Sequence, residues 1–368
     1  MNLALVARSA KNALSRVETN VNRAAGRQFV PVQDDLIAIE ATSVCNLDCC
    51  FCAYPKKSTP KITMKTDTFL DYVGQAIDMG YRRFILTPNT GDVFMDRHLF
   101  ERLAFLEGHP QVQDYTFYTN FTIPRPKDIE RLTTLTKFRH PTISVYGHDR
   151  ESFVAIAKAP EKLYDRLVAN LEQLLALRLA GRLPFTFTIA LRSTRHVPSE
   201  PTSDLLKVLE RFRETGIDVR ISRLYHDWGG QVTEDDIKHL DIDMVDSTKA
   251  YKNGPCALLF TGVQVMATGI VHACACVDVD AQLEIGNLND KPLREIVSPD
   301  NPAYMALIAE QQNGVFKPVC QGCGFYKSIY HNRSVYRKDG IATQTVDDFK
   351  QRLAGKCAAA TPLPAAAE

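Results

Sequence analysis

The residues of this 368-residue chain best suited to chemistry are its ten cysteines, nine of which fall in two groups. The groups are Cys45, Cys49, Cys50 and Cys52, and then Cys256, Cys274, Cys276, Cys320 and Cys323. The N-terminus lacks the apolar run and cleavage site of a secretory signal, so we expect a cytoplasmic protein whose cysteines remain thiols. Clustered thiols in such a protein indicate metal binding or catalysis rather than disulfides.

The first group has the spacing of an iron–sulfur site with one open corner. Cys45, Cys49 and Cys52 follow the pattern C-x3-C-x2-C, so one loop can wrap three irons of a four-iron cubane. The fourth iron then lacks a protein ligand, and an incomplete coordination shell is typical of a metal site that binds substrate. A zinc site and incidental buried thiols are the alternatives. Cys50 is the spare cysteine and is expected to point away.

The second group combines a predicted hairpin with a distant knuckle. Its spacing is C-x12-G-x4-C and later C-x2-C, given by Cys256, Cys274, Cys320 and Cys323. Val263–Ala267 and Ile270–Ala273 predict the two hairpin strands, so both pairs of cysteines can converge on one metal. Cys276 competes with Cys274 as a ligand. Taken alone, this group fits a zinc ribbon as well as an iron–sulfur cluster.

Alternating strand and helix patterns from Leu36 onward must position these cysteines. Such a series requires a mainly parallel sheet with right-handed crossovers. We therefore predict an α/β fold, a partial (β/α)6 TIM-like barrel with a small C-terminal metal-stapled domain. The predicted strands are Leu36–Ala41, Arg83–Thr87, Tyr115–Tyr118, Thr142–Val145, Phe185–Ala190 and Val219–Ser222. The predicted helices include Thr68–Met79, Leu99–Glu107, Lys162–Leu179 and Asp204–Thr215. The first cysteine loop then lies at the carboxyl ends of the strands, where barrel active sites are built.

Composition shifts divide the chain into five segments. They are an N-terminal basic helix and linker (1–35), the barrel (36–230), a linker (231–253), the auxiliary metal domain (254–335) and a C-terminal segment with a disordered tail (336–368). The strand–helix alternation stops after Trp228, and from Lys356 the sequence has little to bury.

The N-terminal helix is amphipathic and basic. Its apolar stripe consists of Leu3, Ala7, Ala10, Leu14, Val17 and Val21, and its charged residues are Arg8, Lys11, Arg16, Arg23 and Arg27 against a single Glu18. We expect the helix to dock on its own domain. The alternative is a weak contact with an anionic membrane surface or an acidic partner, because an Ala-rich stripe binds lipid weakly.

Overall composition excludes several classes of protein. Forty-five per cent apolar and 24% charged residues are ordinary for a globular chain and exclude a disordered chain, collagen and a coiled-coil rod. Forty-four basic and 43 acidic residues give a net charge of +1, so nucleic acid is not an expected partner. No apolar run of about eighteen residues is present to span a bilayer.

The first cysteine loop, with a strand before it and Phe51 just before its last cysteine, resembles the radical S-adenosylmethionine superfamily. The resemblance implies a 4Fe-4S cluster held by Cys45, Cys49 and Cys52, whose free iron binds S-adenosyl-L-methionine. It further implies reductive cleavage of that cofactor to a 5′-deoxyadenosyl radical, which abstracts hydrogen from a substrate. A flavodoxin- or ferredoxin-type electron donor is the implied partner.

Further matches to this family follow the second to fourth strands. Gly91 and Asp92 fit the end of the family's Gly-Gly-Glu segment, which binds the methionine amino group, although Thr90 replaces a glycine and Asp92 replaces Glu. Asn120 matches the Asn of the family's Thr-Asn pair, and Ser144 matches the Ser of its Ser-x-x-Gly segment. Ordinary turn chemistry is the alternative for each. The residues predicted to bind the cofactor are Phe51, Gly91, Asp92, Asn120, Ser144 and Arg192.

The second cysteine group resembles the Twitch form of the SPASM/Twitch appendages of this superfamily. Because no cysteine follows the knuckle until Cys357, one auxiliary 4Fe-4S cluster is implied. Its expected ligands are Cys256, Cys274, Cys320 and Cys323. Four thiolates close its shell, so electron transfer is the expected role, with structural stapling as the alternative.

The predicted function is a radical enzyme that oxidises or otherwise modifies a small polar metabolite. Arg223, near the end of the sixth strand, is the predicted catalytic residue because its guanidinium can clamp substrate oxygens. Modification of a peptide is an alternative, which usually requires an N-terminal recognition domain for which 1–35 is short. The cysteine pattern is also compatible with a non-catalytic zinc or iron–sulfur metalloprotein and with a barrel that binds the cofactor without cleaving it.

Overall fold

The computed structural model describes residues 3–33, 35–87, 89–245, 247, 250–331 and 340–360, with side chains from residue 13 onward. Its helices are α1 (Leu3–Ala24), α2 (Thr66–Asp78), α3 (Leu99–Gly108), α4 (Pro126–Arg131), α5 (Arg150–Ala157), α6 (Glu161–Leu179), α7 (Asp204–Glu214), α8 (Glu234–Ile237), α9 (Leu293–Ile296), α10 (Pro302–Gln312), α11 (Pro318–Gln321) and α12 (Val346–Ala359). Its strands are β1 (Val30–Pro31), β2 (Leu36–Ile39), β3 (Arg83–Leu86), β4 (Asp114–Thr119), β5 (Thr142–Tyr146), β6 (Thr188–Arg192), β7 (Asp218–Ser222), β8 (Leu224–Tyr225), β9 (Asp243–Met244), β10 (Gln264–Val265), β11 (Ile270–His272), β12 (Glu284–Asn287) and β13 (Thr343–Gln344).

The central sheet has the strand order β12-β11-β10-β2-β3-β4-β5-β6-β7. Strands β2 to β7 are parallel neighbours in sequence order, which confirms the predicted partial barrel. The predicted strands begin within three residues of the observed ones. The largest offset is at β6, whose ladder begins at Thr188 although Phe185 and Phe187 before it are already buried.

The crossover helices bury one face against this sheet. Helix α7 illustrates the local signals: Ser203 caps its first turn by accepting a hydrogen bond from the Leu206 amide at 3.1 Å. Its apolar residues Leu205, Val208, Leu209 and Phe212 are buried, as the periodicity of the sequence requires. The chain then turns at Gly216, where φ is +80°. These helices hold the strand ends at a common edge.

The C-terminal cysteine region extends the barrel sheet. Strands β10 and β11 form the predicted antiparallel hairpin, with Val265 opposite Val271. Strand β10 also pairs in parallel with β2, with Gln264 opposite Ala38. The second cysteine group is therefore attached directly to the strand that leads into the first.

The C-terminal segment is more ordered than its composition predicts. Strand β13 pairs with β1, and helix α12 runs to Ala359, past Lys356 where we predict a tail. Thr345 and Asp348 form a capping box, and the ring of Phe349 packs edge-on against Phe260 at 4.9 Å. Local capping and two buried apolar residues outweigh the poor composition of the last turn. Residues 361–368 lie outside the described part of the chain.

Helix α1 contacts the rest of the protein through polar side chains, for example Asn22, which donates to the Tyr330 carbonyl at 2.9 Å, whereas Leu14, Val17 and Val21 are exposed. Of the helices described above, none combines the length and the hydropathy needed to cross a bilayer.

Candidate iron–sulfur and cofactor site

A cavity of about 350 Å³ lies at the carboxyl ends of the barrel strands and reaches the second cysteine group. Three cysteines of the first group line it, namely Cys45, Cys49 and Cys52. Cys50 is buried but is not among the lining residues, in agreement with its predicted role as the spare. The loop is closed by Tyr54, whose hydroxyl lies 3.0 Å from the Cys45 amide nitrogen and 3.2 Å from the Cys45 carbonyl oxygen.

The sulfur atoms of this loop receive N–H donors. The Tyr54 amide donates to Cys52 Sγ at 3.4 Å, and Asn120 Nδ2 lies 3.9 Å from Cys45 Sγ. Burial, followed by the charge of Asp92, raises the pKa of Cys45 to about 12, and burial raises that of Cys52 to about 11. Without a cation these groups are therefore neutral thiols, and a bound metal would be needed to make them thiolates.

The donor set fits an iron–sulfur cluster. Within the described ranges no three His, Cys, Asp or Glu side chains converge on the position of a single metal ion. The fit therefore rests on three thiols that share one cavity wall and on the N–H groups aimed at their sulfurs, which are the contacts that tune such clusters.

The loop after β3 is pressed against the strand that leads to Cys45. Gly91 has φ of +102°, and a Cβ there would lie 2.8 Å from the Thr42 carbonyl oxygen, so only glycine fits. The next amide, that of Asp92, donates to the Val44 carbonyl at 2.8 Å. This close approach places Asp92 and Thr90 in the cavity wall beside the cysteines.

The Asp92 carboxylate is already engaged by its own neighbours. Its oxygens accept hydrogen bonds from the Asn120 amide at 2.6 Å, the Thr119 hydroxyl at 2.9 Å and the Phe94 amide at 3.0 Å. Burial raises the pKa of Asp92 to about 6 despite these bonds. Thr90 also lines the cavity, and its buried hydroxyl has no hydrogen-bond partner among the described residues.

Three other residues with a predicted cofactor role also line the cavity. Asn120 donates to Asn46 Oδ1 at 2.9 Å, which fixes its amide beside the first cysteine loop. Ser144 lies at the end of β5 and is 8% exposed. The Phe51 ring is held between Tyr146 at 5.1 Å and Tyr225 at 4.8 Å. The structure thus brings all of these residues to one cavity.

The two predicted arginines differ in position. Arg192, the last residue of β6, lines the cavity, and its guanidinium has no hydrogen bond or ion pair within the described part of the chain. Arg223 is exposed and is not among the lining residues, because it follows the edge strand β7, most of whose residues are exposed. The cation available inside the cavity is therefore Arg192 rather than Arg223.

His226 is a further residue that lines the main cavity. Its ring stacks on Phe325 with centroids 3.8 Å apart, and its Nδ1 is buried without a partner among the described residues. Burial, together with the nearby charge of Arg192, lowers the pKa of His226. The imidazole is therefore neutral near pH 7 and can accept a proton.

Four cysteines of the second group line a small second cavity. They are Cys256, Cys274, Cys320 and Cys323. Gln311 Nε2 lies 3.4 Å from Cys320 Sγ, and the Phe325 amide donates to Cys323 Sγ at 3.3 Å. Burial raises the pKa of Cys256 to about 11 and that of Cys320 to about 12, as in the first group. These four thiols form a second donor set of the same type.

Cys276 lies on the wall of the main cavity instead. Its neighbour Asn89 can donate to the Ala275 and Cys276 carbonyls, each 3.0 Å from the Asn89 amide. The thiol is near enough to Cys323 and Cys256 for their charges to raise its pKa, after burial. Cys276 therefore lies between the main cavity and the second donor set.

Family models match both halves of this arrangement. The model of the Radical SAM superfamily matches residues 39–192, and the SPASM model, an iron–sulfur cluster-binding domain, matches residues 256–324. Among curated proteins none matches the sequence. The two matches coincide with the two cysteine groups and with the cavity that joins them.

Solved structures share the fold. SuiB of Streptococcus suis bound to its precursor peptide SuiA has 14% identity and a TM-score of 0.54, covering 82% of this chain and 75% of that chain. The enzyme anSMEcpe with bound AdoMet has 15% identity and a TM-score of 0.51, covering 87% of this chain and 92% of that chain. Residues 39–192 are therefore a domain of the Radical SAM superfamily and residues 256–324 a SPASM-type domain, and these domains imply a 4Fe-4S cluster, S-adenosylmethionine and auxiliary iron–sulfur as cofactors.

Proposed function

We propose that this enzyme removes a hydrogen atom from a small anionic metabolite and oxidises it, with Cys45, Cys49 and Cys52 as the ligands of the cleaving cluster. When bound, that cluster and S-adenosylmethionine supply a 5′-deoxyadenosyl radical, after one electron arrives from a flavodoxin- or ferredoxin-type donor. The observation that carries the proposal is the cavity that joins this loop to the SPASM-type domain and contains Arg192, which has no ion-pair partner among the described residues.

The cofactor would be seated by the cavity residues at the carboxyl ends of β3, β4 and β5. Gly91 gives the backbone its close approach, and Thr90 lines the cavity next to it. Asp92 and Asn120 keep this part of the cavity rigid through their mutual hydrogen bond, and Asp92 retains some capacity to accept from an ammonium group. Ser144 is placed to contact a ribose or a carboxylate.

The auxiliary cluster would be held by Cys256, Cys274, Cys320 and Cys323, and it would supply a one-electron acceptor. The N–H groups of Gln311 and Phe325 would stabilise its sulfur ligands. Cys276, which lines the main cavity, would separate this site from the substrate.

The substrate would bind between Arg192 and His226. A guanidinium without a carboxylate partner among the described residues favours a substrate with a carboxylate or phosphate group. Oxidation of a secondary alcohol to a ketone removes one hydrogen atom, one electron and one proton. The imidazole of His226 lines the cavity and is held neutral by its lowered pKa, so it is the side chain that would accept that hydroxyl proton.

The test is deuterium transfer into 5′-deoxyadenosine from labelled pools of small anionic alcohols, with the reconstituted enzyme under dithionite. We expect label transfer with wild type and a loss of at least about tenfold in substrate kcat/KM for Arg192→Ala. Arg220→Ala is the matched control, since Arg220 is exposed and paired with Asp218. An Arg223→Ala arm tests the sequence-based choice directly.

Two results would contradict the proposal. The first is label transfer only from peptides, which would favour the peptide-modifying alternative that the fold shared with SuiB leaves open. The second is an equal effect of Arg192→Ala and Arg220→Ala, which would remove Arg192 from substrate binding.

A further inference from the structure

Helix α1 docks on the protein through its polar face. Thr19 and Asn22 are 3% and 6% exposed, and Asn22 Nδ2 donates to the Tyr330 carbonyl at 2.9 Å. Arg23 donates to the Gln312 carbonyl at 2.6 Å, and Ser15 Oγ lies 3.4 Å from His331 Nδ1. Hydrogen bonds rather than apolar packing therefore hold this helix in place.

Within the part of α1 whose side chains are described, the apolar stripe faces away from the protein. Leu14, Val17 and Val21 are 66%, 59% and 54% exposed, although they are spaced to form one face of the helix. The sequence continues this spacing through the first three turns of the helix with Leu3, Ala7 and Ala10. A surface helix normally buries such a stripe against its own core, so this orientation is the reverse of the usual one.

The charge of the helix is positive. Residues 1–27 carry five basic residues and one acidic residue, Glu18. Glu18 Oε2 lies 3.9 Å from His331 Nδ1, so it faces the protein rather than the stripe. Arg16 and Arg27 are exposed. A cationic helix with a free apolar face matches the interface of an anionic bilayer, where the headgroups attract the arginines.

We propose that α1 is an interfacial helix that binds this enzyme to the surface of an anionic phospholipid bilayer. Leu14, Val17 and Val21 enter the acyl boundary while the polar face stays on the protein. Binding to a bilayer requires only a linear apolar stripe with basic residues beside it. A specific interface with a partner protein buries about 1,200 Å² or more in total, which is more surface than three large side chains can supply. The inference does not depend on the proposed reaction.

The experiment is flotation of the iron-loaded full chain with vesicles on a density gradient. One set of vesicles is phosphatidylcholine, and the other adds phosphatidylglycerol. We expect the protein to float only with the anionic vesicles and to bind them more weakly at high salt. Leu14→Ser with Val17→Ser should reduce binding at least about tenfold, because two exposed apolar side chains are lost.

A matched control has the same residue types at similar exposure. Leu179 and Val315 are 63% and 56% exposed and lie outside α1, so Leu179→Ser with Val315→Ser should bind as wild type. Circular dichroism and iron content check that both double variants fold. Absence of flotation of wild type, equal binding by both double variants, or a stripe-dependent change of oligomeric state without flotation would each overturn the proposal.

Discussion

The position of Cys276 outside the second donor set leads to a prediction about iron content. Two four-iron clusters give about eight irons per chain. Cys274 shares the small cavity with three other cysteines, whereas Cys276 lines the main cavity. Cys274→Ser should therefore lose one cluster and retain about four irons per chain, and Cys276→Ser should retain about eight.

The assay is iron and sulfide analysis after anaerobic reconstitution, with the absorbance near 400 nm as a second readout. Serine is nearly isosteric with cysteine, so a folding defect is limited. Cys357→Ser serves as the matched control, because Cys357 lies on α12 and its thiol contacts the Val297 carbonyl at 3.3 Å, away from both groups. Loss of about four irons in Cys276→Ser, together with full iron in Cys274→Ser, would refute the assignment.

Three further predictions concern the cavity wall and its support. Gly91→Ala should lower the free energy of unfolding by at least about 1 kcal/mol and weaken S-adenosylmethionine binding, because its φ is +102° and its Cβ would meet the Thr42 carbonyl; unchanged urea denaturation and calorimetric affinity would contradict this. Asp96→Ala should cost about 3–5 kcal/mol in urea denaturation, because the fully buried guanidinium of Arg102, whose Nε donates to Asp96 at 2.6 Å, loses its only carboxylate partner among the described residues. Glu172→Ala at an exposed pair with Arg211 is its control and should cost less than about 1 kcal/mol; equal losses would contradict the argument. Burial raises the pKa of Asp92 from the ordinary 3.8 to about 6 in the folded protein. The protonated carboxyl group therefore contributes its full stabilisation below pH 3.8, and this stabilisation is lost as the pH rises through about 6. The measurement compares the unfolding free energies of the metal-free wild type and the Asp92→Asn variant. Their difference, wild type minus variant, should fall by about 2 kcal/mol from pH 4 to pH 6.5, and a difference that does not change with pH would contradict the raised pKa.

The barrel could be predicted from sequence because each strand and helix carries its own pattern. The helix predicted over Lys162–Leu179, for example, is observed as Glu161–Leu179. The hairpin of β10 and β11 was likewise signalled by Gly269 between two β-rich runs. Its parallel pairing with β2 was not, because nothing local to either strand specifies a partner so distant in the chain.

Side-chain direction explains where the sequence-based prediction of the site was less specific. Cys274 and Cys276 are two residues apart just beyond β11. The turn that follows β11 places Cys274 in the small second cavity and Cys276 in the main cavity. The edge position of β7 leaves Arg223 in solvent, and the sequence does not reveal which strand is the edge. For α1 the periodicity identified the stripe correctly, but it carries no information on which face docks.

The proposed radical chemistry requires that three cysteines of one loop hold the cluster that cleaves S-adenosylmethionine. The most direct measurement is the amount of 5′-deoxyadenosine formed when the anaerobically reconstituted enzyme is mixed with S-adenosylmethionine and dithionite. Cys49 lines the cavity and the adjacent Cys50 does not, so the pair provides a matched test within one loop. We predict product from wild type and Cys50→Ala and none from Cys49→Ala, whereas no product from wild type, or equal product from both variants, would contradict the account.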